Sequence, residues 1–470
     1  MKRLKYLSYL LSTLVFLCSC EAPINQVVDK KESKSSEFNA VGVPPGTESK
    51  YDLMIEMDKS ETFTVKASIL IKNISNDTWH EIPFYLIPNM FTAENSPSLE
   101  TPSNLNMIEV SLNEKIIEFT LQKDTLTIPL TTAVAPNETV NVEFLYNFTL
   151  PEKGLRFTKK ESNFYLAQWY PMVPTYRNGW NKEDYRFKGE SYHTPYSDFL
   201  LTYTVPSNYT VVTTSEEDEK LRNNGNVYKI NNVKEVFLAL LESPNVVERQ
   251  VKNTNIRVFG LDGHSEEEYE IAAIAKDALE YFQEHIGTYP YSQFDIILDS
   301  MGMEYPGVVT AGSYYNTKRV NTDSLKSMVV HEVAHQWFYG MISNDPYNDA
   351  WLDEGLSELA TLLYYSDRGE TNFSFEFGNE FSKDLPLPVN LSLDDYPMIE
   401  QSSYIYGKAS TKLGMLFQKY GGKEKAEDFL KAYFHHYQHK EVNTEEFVRF
   451  MKFFLKLEND KDFKDWLEGY

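Results

Sequence analysis

Cysteine is nearly absent. The 470 residues contain two, Cys18 and Cys20, both within the first twenty positions. The rest of the chain can therefore form neither a disulfide nor a thiolate metal site, and any metal must be held by His, Glu or Asp. Histidine is also scarce, at nine residues. Basic side chains are outnumbered, 45 against 69 acidic, for a net charge of −24. That balance excludes nucleic acid as a partner and excludes docking on anionic lipid through a basic face. The apolar run near the start is too brief to read as a membrane span.

Residues 1–19 open with Met1-Lys2-Arg3-Leu4-Lys5, run apolar to Phe16 and close on Leu17-Cys18-Ser19. A basic start, a short apolar core and small residues at its end describe a secretory signal. The stretch resembles a bacterial lipoprotein signal, in which the cysteine after a Leu-x-small triplet is lipidated. Cys20 fits that place better than Cys18, which follows the bulky Leu17. The resemblance implies a lipid anchor on the extracytoplasmic side of the cell membrane; an uncleaved anchor or a plain signal peptide is the alternative. Residues 20–47 then form the lipidated cysteine and a polar, charge-mixed tether with little to bury.

From 48 to 260 short runs alternate apolar and polar residues, at 62–71, 116–121, 140–144 and 200–205. Turns rich in Asn, Asp, Pro and Gly separate them. This predicts an antiparallel β domain with no helix strong enough to name. Within it, the aromatic cluster Phe164 to Pro174 reads as core packing. From 261 to 470 the period changes. Ser265 is expected to cap a helix, Glu268 to complete a capping box, and Tyr269, Ile271, Ala272, Ile274, Ala275, Ala278, Leu279 and Phe282 to share its buried face. A strand at 294–299 leads into Met301-Gly302-Met303-Glu304-Tyr305, where a glutamate at a glycine-flanked strand end can stand beside a pocket. The fold class is α+β and multidomain, with sheet first and helices after.

The chemistry concentrates in Val330-His331-Glu332-Val333-Ala334-His335-Gln336-Trp337, followed by Trp351-Leu352-Asp353-Glu354-Gly355. His331 and His335, four residues apart on one helix, point the same way and suit a single Zn²⁺. Their flanks are apolar, so without a metal both rings would be buried unpartnered. A catalytic zinc takes three protein ligands and keeps a fourth position open. Glu354 is the third: a turn-like segment at 343–349 ends one helix and lets a second bring this carboxylate to the histidine pair. Glu332, directly after the first histidine, can take a proton from water without occupying the metal. The other four-residue pair, His435 and His439, has no carboxylate at ligand spacing and reads as an exposed helix face.

These residues resemble the zinc aminopeptidases related to aminopeptidase N and leukotriene A4 hydrolase. The paired histidine and Trp-Leu-Asp-Glu-Gly motifs carry the likeness, supported by Met303-Glu304, Tyr406-Gly407-Lys408-Ala409 and Gln168. The resemblance implies a saddle-like β domain followed by a thermolysin-like, mainly helical catalytic domain. It implies one Zn²⁺ per chain on His331, His335 and Glu354, with Glu332 as general base. It also implies that Glu304 holds a peptide's free α-amine, that Gly302 and Met303 shape the strand beside the first specificity pocket, that Gln168 helps from the β domain, and that Tyr406 hydrogen-bonds the oxyanion. The function so implied is removal of N-terminal residues from peptides.

Several departures bear on it. The family's Gly-Ala-Met-Glu-Asn is Met301-Gly302-Met303-Glu304-Tyr305 here. Tyr170 stands where members often carry an acid, which weakens the amine anchor. Thr361 replaces an acid common in the family, while Glu358, one turn past Glu354, is placed to support the metal ligands instead. The chain stops shortly after the catalytic region, without the helical C-terminal domain that roofs the cavity in relatives. Zinc endopeptidase action and non-catalytic peptide binding at the cell surface are therefore the alternatives. Intact Glu332 and Tyr406 count against the second. No feature of the sequence fixes an oligomeric state.

Overall fold

The computed structural model describes residues 38–216, 225–261, 263, 265–299, 301–312 and 320–470. The signal at 1–19 and Cys20 lie outside the described residues. Strict alternation drives the first long strand, Thr47–Met57: Tyr51, Leu53, Ile55 and Met57 face inward, while Asp52, Met54 and Glu56 face out. It is the third strand of a seven-stranded sheet in the spatial order Val227–Val233, Ser197–Thr204, Thr47–Met57, Phe63–Asn73, Thr139–Phe148, Leu105–Leu112 and Lys115–Ile116. Pairing is antiparallel with one exception that corrects the expectation of a purely antiparallel sheet: Thr47–Met57 and Ser197–Thr204 run parallel.

The run predicted at 116–121 is not one strand. Asn113 and Glu114, both with positive φ, turn the chain tightly, so Lys115–Ile116 pairs back onto Leu105–Leu112. Thr120–Gln122 instead joins a smaller sheet with Trp79–Tyr85 and Thr125–Val134. Trp169 and Tyr170 are buried in the main core, where Tyr170 meets Tyr51 and Phe199 edge to face. The position where relatives carry an acid is thus a core tyrosine.

A second sheet frames the helical part. Asn245–Val251 pairs antiparallel with Thr254–Gly260, and Gln293–Leu298 and Val308–Thr310 continue it in parallel. Helix α1 (Ser265–His285) packs on it with Ile271, Ala272, Ala275, Ala278, Leu279 and Phe282 buried. Tyr269 is not on that face. It is 55% exposed, with the Arg249 guanidinium over its ring. The Glu268 carboxylate takes the Asn245 side-chain amide. Helices α2 (Thr322–Ala334) and α3 (Trp351–Asp367) follow, then α4 (Glu376–Ser382), a π-helical turn at Ser403–Lys408, and α5 (Ala409–Tyr420), α6 (Gly422–Tyr437) and α7 (Thr444–Leu455). Among the described residues no helix is long and apolar enough to cross a membrane.

The end of the predicted tether is not free. Val41 N–H donates to Glu446 Oε1 at 2.8 Å and Val43 N–H to the Glu441 carbonyl at 2.8 Å. The Pro45 carbonyl in turn accepts from Tyr176 N–H at 2.8 Å. Residues 41–46 therefore belong to the folded body, because carboxylate and carbonyl partners satisfy their backbone where a free tether would rely on water.

Candidate metal centre and active site

Asn321 caps α2, its side chain accepting from Ser324 N–H at 2.9 Å. Val329, Val330, Val333 and Ala334 pack the helix into the core, which turns His331 and Glu332 toward a cavity. His335 stands just past the last helical residue, yet its N–H still donates to the His331 carbonyl at 3.2 Å. The two rings thus remain one turn apart. Glu354 lies in the first turn of α3, where the positive end of the helix favours a carboxylate. At the next residue, Gly355, a Cβ would come within 2.9 Å of the Ala409 Cβ, so the glycine lets α3 sit close against the start of α5.

Three donor atoms converge. His331 Nε2 is 2.9 Å from His335 Nε2, and Glu354 Oε2 lies 3.2 Å from His335 Nε2 and 3.4 Å from His331 Nε2. Tetrahedral ligands about 2.0 Å from a shared zinc are separated by roughly 3.3 Å, so the donor set fits that ion. The far ring nitrogens differ: that of His335 is hydrogen-bonded, and that of His331 only has a carboxylate nearby. His335 Nδ1 meets the Phe338 carbonyl at 2.9 Å, and His331 Nδ1 has Glu358 Oε1 at 3.2 Å, off the hydrogen-bond line. Such partners fix which nitrogen faces the metal. Burial works to raise the Glu354 carboxyl, but hydrogen bonds from His331 and His335 outweigh it and hold the group down at about 2. This carboxylate is therefore ionised.

Glu332 is 6% exposed and its Oε2 has no partner among the described residues. Burial pushes its carboxyl up to about 7, against the pull of His331 and His335. A carboxylate near neutrality suits proton transfer in both directions. The chain leaves room for it at Gly302, where a Cβ would stand 2.3 Å from Glu332 Oε1. Glu304, two residues on, is 6% exposed and lines the same cavity of about 540 Å³. Its strand is fixed by backbone bonds between Met303 and Thr310, and by Gln336, which accepts from Gly307 N–H at 2.9 Å and donates to the Tyr305 carbonyl. Burial raises the Glu304 carboxyl well above its ordinary value, and Glu190, Glu332 and Glu354 push it further.

Tyr406 lies in the π-helical turn with its ring 5.8 Å from that of His331, and its hydroxyl donates to Glu354 Oε1. Burial keeps this phenol protonated. Two expected contacts are corrected. Gln168 does not line the cavity: its amide is spent on Glu235 Oε2 at 2.6 Å and the Tyr192 hydroxyl at 3.2 Å. Met303 points the other way, into a core with Phe237 and Tyr305. The β-rich part contributes Arg156 and Glu190 to the cavity wall instead. Neither sits in a motif, so no pattern of residues marks them. His435 is exposed on α6 and His439 lies beyond its end with φ 57°, so these two do not share a helix face.

A helix bearing His-Glu-x-x-His, a carboxylate one helix later and a β-rich domain in front define a zinc-metallopeptidase fold. Residues 270–468 match the model of the peptidase family M1 domain. Leukotriene A-4 hydrolase of Xenopus laevis is 27% identical over 223 residues, 42% of this chain and 36% of the relative. Aminopeptidase N of Lactobacillus helveticus is 24% identical over 241 residues, 46% of this chain and 28% of the relative. The matched stretch thus spans about a third of these relatives' length. An M1 zinc metallopeptidase of Deinococcus radiodurans, solved as a mutant bound to a Tyr-Ser-Ala substrate, shares the fold with a TM-score of 0.63 at 17% identity, over 90% of this chain and 94% of that one.

Proposed function

We propose that the protein is a zinc-dependent aminopeptidase that removes N-terminal residues from peptides, with one Zn²⁺ held by His331, His335 and Glu354. The observation that carries this reading is the presence, in one cavity, of that donor set, a buried Glu332 whose Oε2 has no partner among the described residues, and a buried Glu304. Zinc bound there would polarise the scissile carbonyl and acidify a water. Glu332 accepts the proton of the attacking water and delivers it to the leaving amine. Tyr406 turns its O–H from Glu354 to the oxyanion, a neutral donor with no charge to remove. Glu304 pairs with the substrate's terminal ammonium and so sets which bond reaches Glu332. The tripeptide seen with the Deinococcus relative supports a short peptide as ligand. In the same reading Cys20 carries a lipid that anchors the enzyme outside the cytoplasm, and loss of membrane association in a Cys20→Ala variant tests it.

The test of activity compares free and N-acetylated forms of one peptide by mass spectrometry of the products. Cleavage of the free form alone supports the aminopeptidase. Equal cleavage of both would replace it with an endopeptidase, and no cleavage by the zinc-loaded protein would leave a binding protein.

A further inference from the structure

A terminal ammonium has three N–H donors, and Glu304 alone offers it one carboxylate. The cavity wall carries a second acid near that end. Glu190 and Arg156, both from the β-rich part, face the cavity with Glu304, whereas Gln168 and Tyr170 do not. Arg156 holds Glu190 by an N–H to Oε1 contact of 2.5 Å, with the two side chains 11% and 10% exposed. Glu190 has no other hydrogen bond among the described residues, which leaves its second oxygen for a ligand. Its charge is also the leading like-charge influence on Glu304, after burial, so the two carboxylates are neighbours in the field of the site.

The segment before Glu190 is pinned to the helical part along the cavity wall. Arg186 pairs with Asp394, Lys188 donates to the Met398 carbonyl, and Gly189, at φ +75°, comes up against Leu393. Glu190 is therefore fixed from both sides. Two buried carboxylates that line one cavity repel unless a cation lies between them, and Arg156 is already committed to one. An ammonium in that gap satisfies both.

We propose that Glu190 is a second carboxylate, beside Glu304, that contacts the substrate's N-terminal ammonium, and that Arg156 is the positioning residue that holds it there. The assignment rests on the aminopeptidase reading and moves the β domain's share of the amine site from the Gln168 to Tyr170 stretch to a different loop. It makes Glu190 a determinant of selectivity for free amines.

The experiment measures kcat and KM of zinc-loaded wild type, Glu190→Gln, Arg156→Lys and Arg156→Leu. The substrates are a free tripeptide and its desamino analogue, identical except for the missing NH₂. Glu190→Gln is expected to raise KM for the free peptide tenfold or more while leaving that for the analogue within twofold. Arg156→Leu should do the same, with Arg156→Lys between it and wild type. Equal losses on both substrates, or none, in Glu190→Gln would overturn the assignment while leaving the aminopeptidase intact. If wild type itself makes no distinction between the substrates, the aminopeptidase reading fails and takes this one with it. Should a single variant not fold, Arg156→Leu with Glu190→Leu leaves no buried charge unpaired, and the same loss of discrimination is expected from it.

Discussion

His193 ties the β-rich part to the helical part and makes the protein's stability depend on pH in an unusual direction. Its ring is 1% exposed, with Nδ1 3.3 Å from Asp345 Oδ2 and Nε2 3.0 Å from Glu441 Oε2. Burial works to lower its pKa, but the two carboxylates prevail and raise it from 6.5 to about 9. A group whose pKa is raised on folding stabilises fully below its unfolded value, and that contribution is lost as pH climbs through the folded one. Between pH 6.5 and 9 the folded state keeps a proton that the unfolded chain has released, so stability falls by about 1.4 kcal/mol per pH unit, or about 3 kcal/mol across the window. Urea unfolding at closely spaced pH values, on wild type and His193→Gln, measures this. Wild type should lose about 3 kcal/mol more than the variant between pH 6.5 and 9.5. At pH 7 the variant itself should be less stable by about 3 kcal/mol, because Asp345 then loses the cation it is buried against and Glu441 keeps only Arg177. Parallel curves for the two proteins would refute the argument.

Glu332→Gln should keep its zinc, by elemental analysis, and lose about 3 kcal/mol or more of transition-state stabilisation, two decades in kcat. Gly302→Ala places a methyl 2.3 Å from Glu332 Oε1, so kcat should fall by at least about tenfold, the equivalent of about 1.4 kcal/mol, with metal content and melting temperature near wild type. Glu358→Gln removes the carboxylate beside His331 Nδ1. Competition with a chelator should show zinc affinity weakened by about 10- to 100-fold, and unchanged affinity would mean that Glu358 does not orient the ring.

What could be read from the residues was local. A helical repeat of 3.6 dictates that His331 and His335 share a face, and the same repeat puts Glu358 one turn beyond Glu354, whatever surrounds them. Glu304 was legible because glycine beside a strand end marks a close approach, and Gly302 indeed abuts Glu332. Long-range placement was not legible. Nothing in the alternation of Thr47–Met57 shows that its neighbour begins at Ser197 or that the two run parallel. Gln168 was misjudged for the same reason: its partners Tyr192 and Glu235 are distant in sequence, and only the assembled sheets show that its amide is already engaged. Arg156 and Glu190 are isolated charges in stretches without a pattern, and their meaning exists only in three dimensions.

The ordered stretch at 41–46 carries a practical lesson. Its backbone closes over Glu441 and Glu446, about 400 residues later in the chain, so a stretch that leaves the ribosome early has to wait for one that leaves it late. A trimmed version starting at Thr47, which a reader of the alternation alone would choose, would strip the cover from α7 and leave acceptors bare. Preparations for crystallisation or assay should begin upstream of Val41.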